Sequence, residues 1–197
     1  MAAQVKAQSL KALSLKALSS KALYCGAASF VAIAVIAVLA MATGEPLLFP
    51  SLGPTAFLIF TRPAPPTASP RNTVLGHLIG VGAGWLGLAV CGLLNTPPDL
   101  AHADWARVGA AAIALGLTCG LMPLLGVPHP PAGATTLIVA LGLLRTPEQL
   151  AVLMTGVVLI TLLGVVINRL AAGSSPGSSA EGRPERRSGV RASRRTR

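Results

Sequence analysis

Charge is scarce in this chain. Only 11% of its 197 residues are Asp, Glu, Lys or Arg, where a soluble domain carries about 25%. Acids are rarest, with 6 Asp and Glu against 16 Lys and Arg. So few carboxylates leave no pair placed for acid–base catalysis, and no nucleophile–base arrangement or phosphate loop is legible, so an enzyme is not expected. The three cysteines, Cys25, Cys91 and Cys119, all fall in apolar stretches. They lack metal-ligand spacing and form no framework for an oxidised extracellular domain, so they read as small buried residues. His77 and His129 are too few for a metal site without carboxylate or thiolate help, and neither metal nor cofactor is expected.

In place of charge the chain has apolar length. Of its residues 52% are hydrophobic, and they gather in blocks. Tyr24–Thr43, Thr73–Leu94, Val108–Gly126 and Leu150–Leu170 are each long enough for a spanning helix, which needs about 20 apolar residues. Leu47–Phe60 and Ala132–Leu144 are shorter and interrupted by Pro and Gly. The fold class is therefore all-α: a polytopic membrane helix bundle of four long spans plus two short, interrupted helices. Strands are excluded because an open edge in hydrocarbon leaves backbone groups unpaired. Three regions follow: a basic leader over 1–23, a transmembrane domain over 24–172, and a disordered Gly/Ser/Pro/Arg tail over 173–197.

The formal charge of +10 lies mostly at the ends. Lys6, Lys11, Lys16 and Lys21 precede the first span, and the tail carries seven arginines, whereas from Tyr24 to Ala172 five Arg nearly cancel four acids. Cytoplasmic loops carry the Lys/Arg excess, which predicts a multi-pass protein of the inner (plasma) membrane with both termini cytoplasmic. Topology and contact with anionic lipid explain the tail, so no nucleic-acid partner is expected. If the short segments cross, Arg62 and Arg71 lie inside while Glu45, Asp99 and Asp104 lie outside, which favours six crossings over re-entry. Ala40-Met41-Ala42 resembles a signal cleavage site, but the apolar run is long for one and reads as a span. The acid-free, Ser-containing leader leaves an organellar membrane open.

The chain also repeats itself at one offset. Pro50, Gly53 and Thr55 fall on Pro130, Gly133 and Thr135 eighty residues later, and Gly76 and Gly84 fall on Gly156 and Gly164. Each copy is long–short–long, over about 24–94 and 107–172. Short, interrupted segments at matching places in two halves point to a transporter's binding site. Gly76, Gly80 and Gly84, like Gly116 and Gly120, make flat faces for close helix packing, and the narrow bundle leaves a homo-oligomer open.

Candidate site residues gather at these breaks. Amides at the starts of the short helices, near Gly53 and Gly133, present partial positive charge, with Pro54 at a first helical position where its missing N–H costs nothing. Thr55, Thr135 and Thr136 add hydroxyl donors, and together these form a cradle for a small anion. Arg71 and Asn72 open the second long span, with Arg71 either a topology anchor or the rim of an anion path. His77 lies deep in that span, where an ionisable group faces the bundle interior or a cavity. His129, stiffened by Pro128, Pro130 and Pro131, lies at the approach to the second short helix. Either imidazole suits a neutral hydrogen bond or a proton relay.

His129-Pro130-Pro131-Ala132-Gly133-Ala134-Thr135 resembles the signature of the HPP family of small integral membrane proteins. Pro70-Arg71-Asn72, followed by Gly76-His77-Leu78, is similar to that family's second motif. Gly53-Pro54-Thr55-Ala56 stands where members more often read Gly-Ala-Ser. The resemblance covers roughly residues 25–172. It implies four spans, and some plant-plastid and cyanobacterial members are associated with nitrite transport. The expected function is thus a transporter or channel for a small anion such as nitrite, within a lipid bilayer. The alternative is a non-transporting membrane scaffold or sensor that binds a partner protein.

Overall fold

The computed structural model describes residues 2–64, 66–102 and 104–173. Six α-helices follow one another: α1 (Ala2–Thr43), α2 (Leu52–Thr61), α3 (Pro70–Val90), α4 (Trp105–Leu124), α5 (Ala132–Ala140) and α6 (Pro147–Gly173), with a 3-10 turn at Pro66–Ala68 between α2 and α3. No strand occurs among the described residues. The expected four long apolar helices are α1, α3, α4 and α6. Their outward faces expose Phe30, Val38, Val90, Leu162 and Leu170, as lipid-facing surfaces do. Trp105, 90% exposed at the first turn of α4, has the position of an interfacial anchor.

Three boundaries differ from expectation. The helix of the first span runs back through the basic leader without a break, since Ala, Leu and Lys are strong helix formers. Leu47 to Ser51 precede α2 rather than belonging to it, and Pro54 is its third residue. α5 stops at Ala140 because Gly142 adopts φ +81°, and the amides of Gly142 and Leu143 turn back to the carbonyls of Val139 and Ile138. That is a Schellman ending, which an L-residue at the Gly142 position would strain. The tail over 174–197 lies outside the described residues.

The contacts fix chain direction. Tyr24 donates to Asn168 Oδ1 at 2.5 Å and Asn168 Nδ2 to the Ile59 carbonyl at 3.2 Å. The end of α2, the early apolar part of α1 and the late part of α6 therefore share one level. Leu47 and Leu52 instead lie against Gly156, more than three turns earlier in α6. After α1 rises, the segment 44–51 and α2 together descend. α3 ascends beside α5, because Gly76, Gly80 and Gly84 meet His129, Ala132 and Val139 in turn. α4 descends, with Ala110 at Gly87 and Met122 at Gly76. The six helices thus alternate in direction. Lys21, Arg62, Arg71 and Arg169 fall at one end of the bundle and Glu45, Asp99, Asp104 and Glu148 at the other.

The eighty-residue offset reappears in the packing. A Cβ added at Gly84 would fall 2.7 Å from Val139 Cβ, and one at Gly164 would fall 2.5 Å from Ile59 Cγ2. Both glycine and partner are shifted by eighty. Each half's short helix therefore packs on the other half's last long helix, α5 on α3 and α2 on α6. Close backbone approach at small residues is what holds helices together where lipid removes the hydrophobic driving force. By contrast, Gly116 and Gly120 meet nothing within 4 Å and open to the exterior. Cys119, expected to be buried, is exposed on the same helix.

Candidate functional site

The short helices bring their duplicated threonines to one imidazole. Thr55 Oγ1 lies 2.9 Å from His77 Nε2, and Thr135 Oγ1 lies 2.7 Å from His77 Nδ1. His77 is thus clasped where the two halves meet. A second imidazole adjoins it, with the His77 and His129 ring centroids 4.9 Å apart and tilted by 54°. Thr55 Oγ1 also lies 3.4 Å from His129 Nε2 and 2.9 Å from the Ser51 carbonyl. His129 Nδ1 lies 2.8 Å from the Thr67 carbonyl. Thr55, His77, His129 and Thr135 are all 0% exposed.

Backbone features explain how this centre fits. Gly76 carries no side chain where a Cβ would stand 2.6 Å from His129 Cβ. Ser69 caps α3 by accepting from the Asn72 amide, and the Asn72 side chain donates to the Pro66 carbonyl at 2.9 Å. That pins the turn whose Thr67 carbonyl reaches His129. The rigid, proline-flanked approach to α5 holds the ring opposite.

The protons in this chain follow from its two fixed acceptors, the Thr67 and Ser51 carbonyls. A carbonyl only accepts, so Nδ1 of His129 carries its hydrogen, and in the neutral ring Nε2 is bare. Thr55 donates its one hydrogen to the Ser51 carbonyl and accepts from His77 Nε2–H. Nδ1 of His77, left bare, accepts from the Thr135 hydroxyl. One orientation thus runs from Thr135 through His77 and Thr55 to the Ser51 carbonyl, and the bare His129 Nε2, 3.4 Å from Thr55 Oγ1, is left without a donor among the described residues.

Of the residues singled out from the sequence, Thr55, His77, His129 and Thr135 come together and the others do not. Arg71 is exposed at the start of α3, and Asn72 serves the turn. Thr136 faces α4, sharing a 2.8 Å hydrogen bond with Thr118. Gly53 has open space at its Cβ position and Gly133 only ordinary contact with Leu115. The amides of Ala132, Gly133 and Ala134 are taken by the carbonyls of His129, Pro130 and Pro131, so the start of α5 offers hydroxyls rather than free amides.

Sequence reasoning missed three participants. Thr67 acts through its carbonyl, which no residue type announces. Ser51 is 0% exposed and its hydroxyl has no partner among the described residues. Its place one turn before Thr55 was the available signal. Arg107, 4% exposed near the opposite end, donates from Nη2 to the Pro97 carbonyl at 3.0 Å, and its Nε and Nη1 have no partner among the described residues.

Two hollows flank the centre. One of about 420 Å³ lies at the basic end between the 63–70 segment and α6, lined by Ser69, Thr161, Asn168 and Arg169 among others. The other, about 350 Å³ and apolar, separates Pro54, Phe57 and Leu58 from Pro130, Pro131 and Ala134.

Two transmembrane proteins of Dictyostelium discoideum are similar to this chain. One is 28% identical over 152 residues, covering 73% of this chain and 50% of the relative. The other is 32% identical over 114 residues, covering 56% of this chain and 34% of the relative. The chain therefore spans half or less of the length of these relatives. No solved structure matches it. The family model described as "HPP, transmembrane region" matches residues 15–176, and with both of its motifs converging on His77 and His129 the chain belongs to the HPP family of integral membrane proteins.

Proposed function

We propose that this protein is a transporter or channel, not an enzyme, that passes a small monovalent anion through the His77–His129 centre. The observation that carries this reading is the clasp of His77 by Thr55 and Thr135, the same residue of two halves meeting from opposite directions. Binding sites of repeat-built transporters lie at such repeat interfaces, between broken helices. The leftover donor at Ser51, beside Thr55, supports a ligand that accepts hydrogen bonds.

In this reading Arg169 and Arg71 raise the local anion concentration at the basic end, and the vestibule beside Arg169 admits the ion. The turn at Pro66–Ala68, tied to His129 by the Thr67 carbonyl, stands between vestibule and centre and acts as the gate. The two halves form an inverted repeat, and rocking one against the other exposes the centre alternately. The Lys/Arg excess assigns the basic end, with both termini, to the cytoplasm. Nitrite is the first substrate to try, because the family resemblance extends to members associated with nitrite transport.

The test is nitrite uptake into proteoliposomes, with empty vesicles subtracting passive entry of nitrous acid. Wild type should exceed that background, and His77→Asn, matched for folded protein, should fall to it. Uptake equal in the two would remove His77 from the path, and no uptake by wild type would reject nitrite.

A further inference from the structure

We infer that the anion does not cross alone: one proton is taken up with it, held on His129, so that transport is an electroneutral 1:1 symport. This rests on the anion reading above and names its coupling ion.

Electrostatics supplies the need. A monovalent anion at the centre leaves water for a site that is 0% exposed, and a buried charge is tolerated only with a counter-charge. The groups facing the two rings are Thr55 from α2, Thr135 from α5, the Thr67 carbonyl from the turn, and Gly76 and Met122 from α3 and α4. None of these ionises. Arg71 is exposed at the start of α3, about 9 Å of helix rise from His77, and Arg169 lies at the vestibule. Among the described residues, the only groups in reach that can become cationic are the two imidazoles. Their ring centroids are 4.9 Å apart, so a second positive charge is opposed by the first, which sets the ratio at one.

The hydrogen bonds supply the means and choose the ring. In the neutral arrangement His129 Nε2 is the bare nitrogen, 3.4 Å from a Thr55 hydroxyl whose hydrogen is already on the Ser51 carbonyl. When a proton is added there, both nitrogens of His129 donate: Nδ1–H keeps the Thr67 carbonyl, and Nε2–H turns on Thr55 Oγ1. The two lone pairs of Thr55 then accept from His77 and His129 together. Protonation thus satisfies the one ring nitrogen that lacked a donor, and no other hydrogen has to move. Loading His77 instead would put hydrogen on Nδ1 and reverse the 2.7 Å bond to Thr135, whose displaced hydrogen has no second acceptor among the described residues. The proton that enters with the anion leaves with it, restoring the neutral chain, so the net cargo is the conjugate acid.

The experiment loads proteoliposomes with a pH-sensitive dye and adds nitrite, or nitrate, whose conjugate acid is too strong to cross unaided. The membrane potential is set by potassium and valinomycin, and empty vesicles are subtracted. The expected result is protein-dependent anion entry with matching lumenal acidification, unchanged when the potential is reversed. Thr55→Val keeps the shape but removes the hydroxyl that accepts from protonated His129, and should reduce this coupled entry roughly tenfold, the scale of one buried hydrogen bond. Thr55→Ser should restore it, which separates the hydroxyl from a packing effect. Entry driven by an inside-positive potential without acidification would overturn the symport and leave the anion reading standing. No protein-dependent entry of either anion would overturn both.

Discussion

At the scale of single residues, the centre depends on a few hydroxyls that satisfy buried imidazoles. Replacing Thr135 with Val leaves His77 Nδ1 without a donor, at a cost of about 1–3 kcal/mol for a buried unsatisfied group. Thermal unfolding in detergent should show the loss, and Thr135→Ser should recover most of it. Asn72→Ala should weaken the turn instead. It leaves the Pro66 carbonyl with the Ser69 amide alone and loosens the hold of Thr67 on His129, raising amide exchange over 67–69 while the helices stay protected. At the other end Asp99 titrates below the ordinary carboxylate range, chiefly because the His102 amide bonds it, helped by the His102 side chain and the Ala101 amide. A depressed folded-state value means the turn is fully held above the ordinary carboxylate pKa and loosens as pH falls through the lowered one. Chemical shifts of Ala101 and His102 should therefore titrate at lower pH than a free aspartate would.

At the scale of helices, the account rests on which glycines touch something. Gly84→Ala and Gly164→Ala each drive a Cβ into the opposite half's short helix, and overpacking of this kind costs about 1–3 kcal/mol. Gly82 and Gly116 face open space, so Ala there should be neutral or should stabilise by up to about 1 kcal/mol through helix propensity. Melting temperatures of the four variants would separate the pairs, and equal effects in all four would contradict the packing. The sequence made much of this legible. The offset of eighty carried Thr55 onto Thr135 and Gly84 onto Gly164, and residues tied by a repeat meet in space if the halves pair. Other parts were hidden for physical reasons. Arg71 and Asn72 adjoin His77 in the chain, but the helix turns them to the bundle end, where Asn72 holds a turn. Thr136 follows Thr135 by one residue and so points about 100° away, onto α4. The free amides expected at Gly133 were lost to tight turns through Pro130 and Pro131, whose carbonyls take them.

At the scale of the whole molecule, α2 and α5 are about 15 Å and 14 Å long from their 10 and 9 residues. Neither crosses about 30 Å of hydrocarbon alone. Each is extended by irregular chain, 44–51 before α2 and 125–131 before α5, so that all six segments alternate in direction. Non-helical backbone at that depth is tolerated where protein surrounds it, as Leu47 and His129 are surrounded here. Single cysteines at Ser69 and His102, in a background with Cys25, Cys91 and Cys119 replaced, should label from opposite faces of the membrane, Ser69 from the cytoplasm. Labelling from one face would contradict the alternation. Two short helices that clasp one imidazole form the frame on which the proposed transport depends. The most direct measurement compares nitrite uptake by Thr55→Val and Thr135→Val with wild type in proteoliposomes of equal folded content. The account predicts that both fall roughly tenfold or more, because each holds one nitrogen of the shared His77 ring from its own half. Full uptake in both would contradict it.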